Sequence, residues 1–287
     1  MSIIKVSSAL SFLDKWGSFK VRWGIGRHVY LIEPGLYALG DPTPESPVLV
    51  TANYKLTFDI VRSALKRLSV YLLILDTKGV NVWCAAGKGT FGTDELVTRV
   101  KAVGLNNVVS HRTLVLPQLG ATGVAAHEIK KQTGFKVVYG PVRAEDLPDY
   151  LTHEMKATPA MRQVRFTFID RLKLIPVELV NYAGYTILII GLLLLLTLIR
   201  QHHVNLADGF RVATNILVAY LGGVMITPLL LPWIPARSFS AKGAISGLFI
   251  VVALQLFTTP WVFIIPAISS YLAMNFTGSS TYTSLSG

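Results

Sequence analysis

The stretch Val70–Gly92 reads VYLLILDTKGVNVWCAAGKGTFG. Its first seven residues, Val70–Asp76, form a near-continuous apolar run of strand length, the pattern of a strand covered on both faces. Such a strand needs helices on each side, and the flanking sequence supplies them. Pro47–Thr51 (PVLVT) is a short β-branched run after the Pro-rich loop Asp41–Pro47, and Phe58–Leu68 reads as a helix with Arg62, Lys66 and Arg67 on its polar side. Downstream, Thr93 is expected to cap a helix that carries Asp94 and Glu95 in its first turn and stops at Gly104. Val108–Val109 and Thr113–Leu116 are strand candidates, Gly123–Thr133 is a helix candidate ended by Gly134, and Phe135–Tyr139 (FKVVY) is a last strand before Gly140-Pro141. This alternation predicts an α/β domain with a parallel sheet. Ligands of such sheets bind outside the carboxyl ends of the strands, and the loop after Asp76 lies at one of them.

The rest of the chain is of another kind. Residues 1–180 hold 23 Lys/Arg and 15 Asp/Glu, whereas residues 181–287 hold four Lys/Arg and one acid, Asp208. Asn181–Ile199, Val212–Ala236 and Gly243–Gly287 carry no charge. A helix needs about 20 apolar residues to cross the hydrocarbon core. These windows predict spans near Tyr182–Ile199 and Val212–Leu231, then a stretch that Thr258-Thr259-Pro260 either turns into two short spans, Ile245–Phe257 and Trp261–Phe276, or kinks. That makes about four spans. The polar, uncharged end Thr277–Gly287 reads as a chain cut before a further one. Lys156, Arg162, Arg165, Arg171 and Lys173 precede the first span, with Arg237 and Lys242 after the second. By the positive-inside rule the N-terminal domain is cytoplasmic and the protein multi-pass in the cell (inner) membrane; Arg200 and Arg211 weaken that bias slightly. Ala9–Leu13 is too short for a secretory signal. The basic excess fits contact with an anionic lipid bilayer, and no nucleic-acid-binding motif competes with that reading.

The chain has one Cys, Cys84. That excludes an intramolecular disulfide and an iron–sulfur cluster held by this chain alone, which takes about four thiolates. Cys84 follows Trp83 and precedes Ala85-Ala86-Gly87, small residues that let a flat ligand come close to the backbone. Gly87-Lys88 is not a P-loop, because Val82 stands where its first Gly belongs and Gly89 where Ser or Thr belongs. Gly24-Ile25-Gly26 fails the dinucleotide fingerprint at Val29. By itself, Cys84 is read most simply as a small buried residue, with a reactive thiol as the other reading.

NVWCAAGK, Asn81–Lys88, resembles the signature of the mercury-methylating corrinoid protein family (HgcA). PGLYALG (Pro34–Gly40), SPVLVTANYKLTFD (Ser46–Asp59), LPQLGATG (Leu116–Gly123), GFKVVYGPVRAEDLP (Gly134–Pro148) and MNFTGSSTYTSLSG (Met274–Gly287) resemble it too, so the likeness covers most of the chain from Glu33 onward. The family is related to the corrinoid domain of the corrinoid iron–sulfur protein of the acetyl-CoA pathway. The resemblance implies a Rossmann-like corrinoid-binding α/β domain over 1–160, a basic juxtamembrane linker over 161–180 and an all-α transmembrane domain over 181–287. It implies a cobalamin-type corrinoid held base-off on a short cap helix, with Cys84 as the lower axial cobalt ligand. Asn81, Val82, Trp83, Ala85, Ala86, Gly87 and Lys88 would line the lower face of the ring. Thr51, Asn53, Gln118, Gly120, Tyr139 and Gly140 are further candidate contacts.

The implied reaction is transfer of a methyl group from cobalt to Hg(II), giving methylmercury. A thiolate donor trans to the methyl group stabilises the oxidised metal and makes its reduction harder. With no cluster of its own, the chain then calls for a ferredoxin-like 4Fe–4S electron donor as partner, and for a methyl-folate-dependent methyltransferase as methyl source. Two alternatives stand beside this reading. One is a corrinoid methyl carrier of the acetyl-CoA pathway, although that protein's large subunit carries its own cluster Cys residues and is soluble. The other is a membrane transporter or sensor with a cytoplasmic ligand-binding domain, although the spans lack the Asp, Glu, Lys and Arg that ion pathways use. His202-His203 reads as solvated loop, and His111, His127 and His153 show no metal-ligand spacing.

Overall fold

Val70–Leu75 is a strand with all six residues buried. The computed structural model describes residues 3–201, 206–257 and 260–279. Among them are six strands, β1 (Ile4–Val6), β2 (Gly35–Leu39), β3 (Val48–Ala52), β4 (Val70–Leu75), β5 (Thr113–Leu116) and β6 (Lys136–Tyr139), in one sheet of order β1-β2-β4-β3-β5-β6. Side chains alternate between two cores, as the period of a strand requires. Leu73 and Leu75 join Val48, Val50, Leu114 and Leu116 on one face, and Leu72 and Ile74 join Leu49 and Val115 on the other. Helices cover both faces. The first core is closed by residues of α3 (Val82–Lys88), α4 (Thr93–Ala102) and α5 (Ala126–Thr133). The second is closed by Phe58 of α2 (Lys55–Ala64) and by Leu147 and Tyr150 of α6 (Leu147–Thr152). Burying each Leu or Ile of β4 contributes roughly 1.5–3 kcal/mol, so a polar residue there would cost more than any one surface contact returns.

The sheet differs from a wholly parallel one. β3 pairs in parallel with β4 and with β5, and β5 with β6, but β2 (within the Pro34–Gly40 string) runs antiparallel to β4. The edge β1–β2 pair is parallel. Strand order reverses at β3, which has β4 on one side and β5 on the other, so the crevice between the carboxyl ends of β3 and β5 is the topological switch point.

Several local expectations are corrected. Val108–Val109 is not a strand; a 3₁₀ turn over Leu105–Asn107 leads into it, and Val109 is buried as a core side chain. The first crossover helix is Lys55–Ala64 rather than Phe58–Leu68, and the helix foreseen from Gly123 begins at Ala126. Thr93 does not cap α4. Gly92 holds the cap position, and the Thr93 hydroxyl accepts a hydrogen bond from the Ala125 N–H at 2.9 Å, tying α4 to the approach to α5.

Arg62 is not on a polar surface. It is 6% exposed and Asp59 is 1% exposed, and the two pair at 2.8 Å. Arg62 also pairs with Asp14 at 2.8 Å and donates to the carbonyls of Ser7 and Ala9, while Lys55 bridges Asp14 and Asp59 at 2.6 and 2.7 Å. This network fastens β1 and the start of α1 (Phe12–Arg22) to α2. Two cations against two carboxylates, with backbone carbonyls taking the spare guanidinium donors, make it a satisfied partly buried cluster. Burial opposes ionisation of Asp14, yet hydrogen bonds from Lys55, Ser11 and Arg62 outweigh it and hold the carboxyl well below the usual carboxylate range.

Residues up to Gln163, apart from Arg22–Gly24, make one compact unit; Arg22–Gly24 and Val164 onward make the other. In the second unit, α7 (Phe168–Leu172) begins with a Thr167–Asp170 capping box. The helices α8 (Ile175–Gln201), α9 (Leu206–Leu221), α10 (Thr227–Leu230), α11 (Phe239–Ala253) and α12 (Trp261–Asn275) follow. Three helical segments are long and apolar enough to cross a membrane, Phe168–Leu196, Ala207–Leu230 and Trp261–Gly278; Phe239–Ala253 is apolar but shorter. The last stretch is therefore two helices, α11 and α12, rather than one kinked helix. Thr258-Thr259 and Ser280–Gly287 of the tail lie outside the described residues. Arg171, expected before the first span, instead falls within the segment Phe168–Leu196; it is buried and donates to the carbonyls of Phe166 and Leu229. A π-helical turn over Gly222–Ile226 joins α9 to α10, and the Thr227 hydroxyl bonds the Gly222 carbonyl at 2.8 Å.

α11 and α12 meet through a GxxxG pair, Gly243 and Gly247. A Cβ at Gly243 would stand 2.4 Å from the Ser269 carbonyl oxygen, and one at Gly247 would stand 2.5 Å from Pro266 Cα. Small residues that let backbones touch are the usual device for packing apolar helices where lipid removes the hydrophobic drive.

Two outcomes follow. Gly247→Leu should lower the thermal midpoint of the detergent-solubilised protein, whereas Gly184→Leu, whose added side chain begins in open space, should leave it unchanged. A carboxylate with a depressed folded-state pKa stabilises above its unfolded value and loses that contribution as pH falls below it. Amide exchange over Ser7–Asp14, taken relative to the intrinsic rate at each pH, should therefore rise as pH drops below about 4. In Asp14→Asn it should already be raised at neutral pH. Equal protection of both proteins at pH 7 would show that the cluster does not hold the segment.

Candidate functional site

The string NVWCAAGK folds as a helix with its cap. Asn81 is the N-cap of α3, and its side-chain oxygen accepts from the Cys84 N–H at 2.9 Å. Gly89 ends the helix in the left-handed conformation (φ +80°), where glycine costs least. Seven residues do not make a stable helix alone. The anchor is tertiary: Val82, Ala85 and Ala86, at i, i+3 and i+4, are 8%, 0% and 6% exposed in the first core. That leaves Cys84, Gly87 and Lys88, again at i, i+3 and i+4, on the outer face, all exposed. A Cβ on Gly87 would meet nothing within 4 Å. Neither packing nor a left-handed φ accounts for glycine here, and glycine inside a helix costs about 1 kcal/mol relative to alanine. The bare helix surface beside the Cys84 sulfur is unexplained by the fold, and it suits the close approach of a flat ligand.

The loop before α3 is held by side chains from two other elements. Asn53, just past β3 and 2% exposed, accepts through Oδ1 from the N–H of Thr77 (3.1 Å), the Thr77 hydroxyl (2.9 Å) and the N–H of Gly79 (3.0 Å). Its amide nitrogen donates to Asp76 Oδ1 at 3.2 Å. The Thr77 hydroxyl also bonds the Val80 carbonyl at 2.7 Å. From α4, Glu95 accepts from the Asp76 N–H at 2.8 Å while Arg99 holds the same carboxylate. Burial opposes the charge on Asp76, but hydrogen bonds from Lys78 and Asn53 hold its carboxyl below the ordinary range. A residue pair in left-handed conformation, Lys78 (φ +57°) and Gly79 (φ +70°), makes the bend that these bonds fix.

Beside α3 a cavity of about 310 Å³ opens at the switch point. Its floor is Leu49 and Thr51 of β3 with Val115 and Leu116 of β5 and Pro117 just past it; its walls include Ile60 of α2, Asn81, Val82 and Trp83, and the segment Pro141–Ala144. It is mostly apolar, with Arg143, Thr51, Thr57 and Asn81 as its polar lining. Apolar walls with a few placed polar groups are the usual make-up of a small-molecule site.

The sequence-selected residues thus divide. Asn81, Val82, Trp83 and Thr51 line the cavity; Ala85 and Ala86 are packed into the core; Cys84, Gly87 and Lys88 face outward. Cys84 is exposed rather than the small buried residue of the simplest reading. Asn53 has its amide committed to the loop. Gln118 is held by Arg162 Nη1, and Gly120 is pressed on Phe91, whose Cε1 would lie 2.5 Å from an added Cβ. The Tyr139 hydroxyl donates to the Val124 carbonyl, and Gly140 packs on Val115. Gly120 and its neighbour Gly123 leave room for Phe91 and the backbone of Ala86, so the LPQLGATG turn wedges α3 from behind. Glu95 and Thr77 were not selected from the sequence as site residues. Their reach to the loop depends on β4 lying beside α4, which no local pattern states. Among the described residues no cluster of three His, Cys, Asp or Glu could hold a metal ion. His111 is used by the Ser46 carbonyl and the Thr113 N–H, and His153 by the Asp149 carbonyl. His202-His203 lies outside the described residues.

Residues 27–151 match the family model described as CO dehydrogenase/acetyl-CoA synthase delta subunit. The chain is 34% identical over 125 residues to the acetyl-CoA decarbonylase/synthase complex subunit gamma of Methanopyrus kandleri, covering 43% of this chain and 27% of that one. It is 30% identical over 160 residues to the gamma subunit of Archaeoglobus fulgidus, covering 49% and 34%. It is 31% identical over 118 residues to the corrinoid/iron–sulfur protein large subunit of Moorella thermoacetica, covering 40% and 26%. The chain thus spans about a quarter to a third of the length of these relatives. The matched segment runs from before β2 into α6, so it holds Cys84, the switch-point cavity and the loop around Asn53, and leaves the apolar helices outside.

Gly87→Ala should stabilise the ligand-free sheet domain by about 0.4–1 kcal/mol, read as a raised urea midpoint, because the added methyl meets nothing and the helix gains propensity. Asn53→Ala should destabilise it by about 1–3 kcal/mol, since the buried Thr77 N–H and the part-buried Gly79 N–H lose their acceptor at once. A destabilising Gly87→Ala would show that the glycine serves the fold after all.

Proposed function

We propose that the sheet domain carries a corrinoid with Cys84 as the lower cobalt ligand, and that the chain is a membrane-anchored methyltransferase passing the methyl group to Hg(II). The observation that carries the reading is the exposed Cys84 thiol beside the side-chain-free surface of Gly87, on a helix at the carboxyl edge of the sheet. A macrocycle can bring its metal to a sulfur only where no side chain rises next to it. On the outer face of α3 the neighbours are Gly87 and the flexible Lys88, so the residues present fit such a group. The domain's similarity to a protein named corrinoid/iron–sulfur protein large subunit supports the same class of cofactor.

When bound, cobalt supplies the carbon-carrying centre and its redox couple. The chain's own residues supply position and electron donation. Asn81 fixes the first turn of α3, Val82, Ala85 and Ala86 fix its depth, and Asn53 with Glu95 fixes the loop that delivers it, which together hold the sulfur at one point. A thiolate is a strong donor, so Cys84 would hold the metal and tune its reactivity by electron donation. Trp83 and Thr51, with Asn81, are proposed to meet the parts of the cofactor that enter the switch-point cavity. Gln118, Gly120, Tyr139 and Gly140 are proposed to act at its edge, Gly120 and Gly140 chiefly by leaving room. A single Cys leaves this chain without a cluster, so a ferredoxin-like 4Fe–4S protein is proposed as electron donor and a methyl-folate-dependent methyltransferase as methyl source. The proposed domains are the cytoplasmic corrinoid domain 1–160, the basic linker 161–180 and the transmembrane part 181–287, in the cell (inner) membrane.

A second reading, a methyl carrier of an acetyl-CoA-type one-carbon pathway, is favoured by the similarity to the gamma subunits. The two readings share Cys84 and differ in acceptor. Purified chain loaded with corrinoid should show a visible absorption spectrum that changes in Cys84→Ala; an unchanged spectrum would sink the ligand assignment. With a reduced ferredoxin partner and methyl-loaded corrinoid, methylmercury should form from Hg(II) and should fall to background in Cys84→Ala. Methyl transfer to a one-carbon-pathway acceptor with Hg(II) inert would establish the carrier reading instead.

A further inference from the structure

The site and its supports leave α1 unused. Gly17 and Val21 are the buried residues of this helix, with Gly17 set against the Tyr30 ring. Its opposite face holds Phe12, Leu13, Trp16 and Phe19, which are 77%, 76%, 48% and 49% exposed. Phe12, Trp16 and Phe19 stand at i, i+4 and i+7, one stripe of the helix, and the last two rings stack at 5.3 Å. Four large apolar side chains, three of them aromatic, make a contiguous patch of a kind soluble surfaces seldom leave open. At 100° per residue, Lys20 borders the stripe on one side and Lys15 with Arg22 on the other. None of the three cations forms an ion pair among the described residues. The one acid of the helix, Asp14, points away from the stripe into the cluster with Lys55 and Arg62. Residues 1–31 carry five Lys/Arg against that single acid.

We infer that α1 lies in the membrane interface, with Phe12, Leu13, Trp16 and Phe19 among the lipid headgroups and Lys15, Lys20 and Arg22 reaching anionic lipid. An aromatic stripe edged by cations on both sides is the pattern of a helix lying in the plane of a bilayer, its apolar face about 5–10 Å deep. The charge pattern chooses lipid over a second copy of this chain, which would meet the same cations with its own. Trp is enriched at membrane–water interfaces, and Trp16 lies in the middle of this face. The helices of the second unit that are long and apolar enough to cross a membrane, read as spans, tie the same chain to a bilayer. Docking would restrict the tumbling of the sheet domain and so the directions from which a soluble partner reaches Cys84.

The inference rests on the reading of those helices as spans, and the test separates the two. In a Cys84→Ala background, single cysteines at Leu13, Trp16 and Leu192 of α8 are spin-labelled in the full chain in nanodiscs containing anionic lipid. Labels at 13 and 16 should be reached by oxygen and lose accessibility to a water-soluble nickel chelate, as the label at 192 does. Immersion at 13 and 16 should be lost in discs of zwitterionic lipid alone. A lipid-like label at 192 with water-like labels at 13 and 16 overturns the docking of α1 and leaves the spans standing. Water-like labels at all three overturn both. Labels at 13 and 16 that neither reagent reaches would assign the face to a protein contact. Unchanged immersion in zwitterionic discs would overturn the part given to the cations.

Discussion

The two-sided burial of β3 and β4 is the constraint from which the rest of the sheet domain follows. A strand with apolar side chains on both faces cannot leave either face to water, so each crossover must place a helix on the sheet. β3–α2–β4 covers one face, and β4–α4–β5 covers the other. Because these two crossovers lie on opposite faces, β5 pairs with the far side of β3, and the order of strands reverses there. The crevice at the strand ends and the cavity in it are consequences of that reversal.

Cys84 depends on this frame at one remove. α3 is too short to hold itself, so its position is that of its anchors: the core contacts of Val82, Ala85 and Ala86, the wedge of Gly120 and Gly123, and the loop pinned by Asn53. Asn53 follows the strand next to the one whose loop it holds, and its side-chain oxygen collects three donors from that loop, the buried Thr77 N–H among them. The outer face of α3 is therefore rigid while carrying no side chain at Gly87. A fixed helix under an open face is the combination that the proposed role of Cys84 as a metal ligand would require.

The helical unit follows different physics. Apolar helices long enough to cross a membrane would gain little by meeting each other in lipid, and contact here is made where glycine lets backbones approach, as at Gly243 and Gly247, and where hydroxyls such as Ser269 reach a carbonyl of α9. The same reasoning separates α1 from it. α1 has its apolar stripe and its cations on one exposed surface and its single acid on the other, so it is suited to lying on a bilayer rather than crossing it.

The sequence by itself determined the class of each part. The run Val70–Asp76 and the charge-free windows after Asn181 are local signals that periodicity and charge exclusion read without tertiary help, whereas the string around Cys84 stood out by its resemblance to a family signature. It did not show that β2 enters the sheet antiparallel, because direction depends on which edge is left to pair. It misplaced Arg62, since two carboxylates from distant segments had to converge before that charge could be buried. It named NVWCAAGK as a unit, while only the folded chain divides it into Asn81 as cap, Ala85 and Ala86 as anchor, and Cys84 with Gly87 as exposed face. That division is a property of a helix docked on a core: the 3.6-residue turn sets which side chains share a side, and the packed sheet decides which side is hidden.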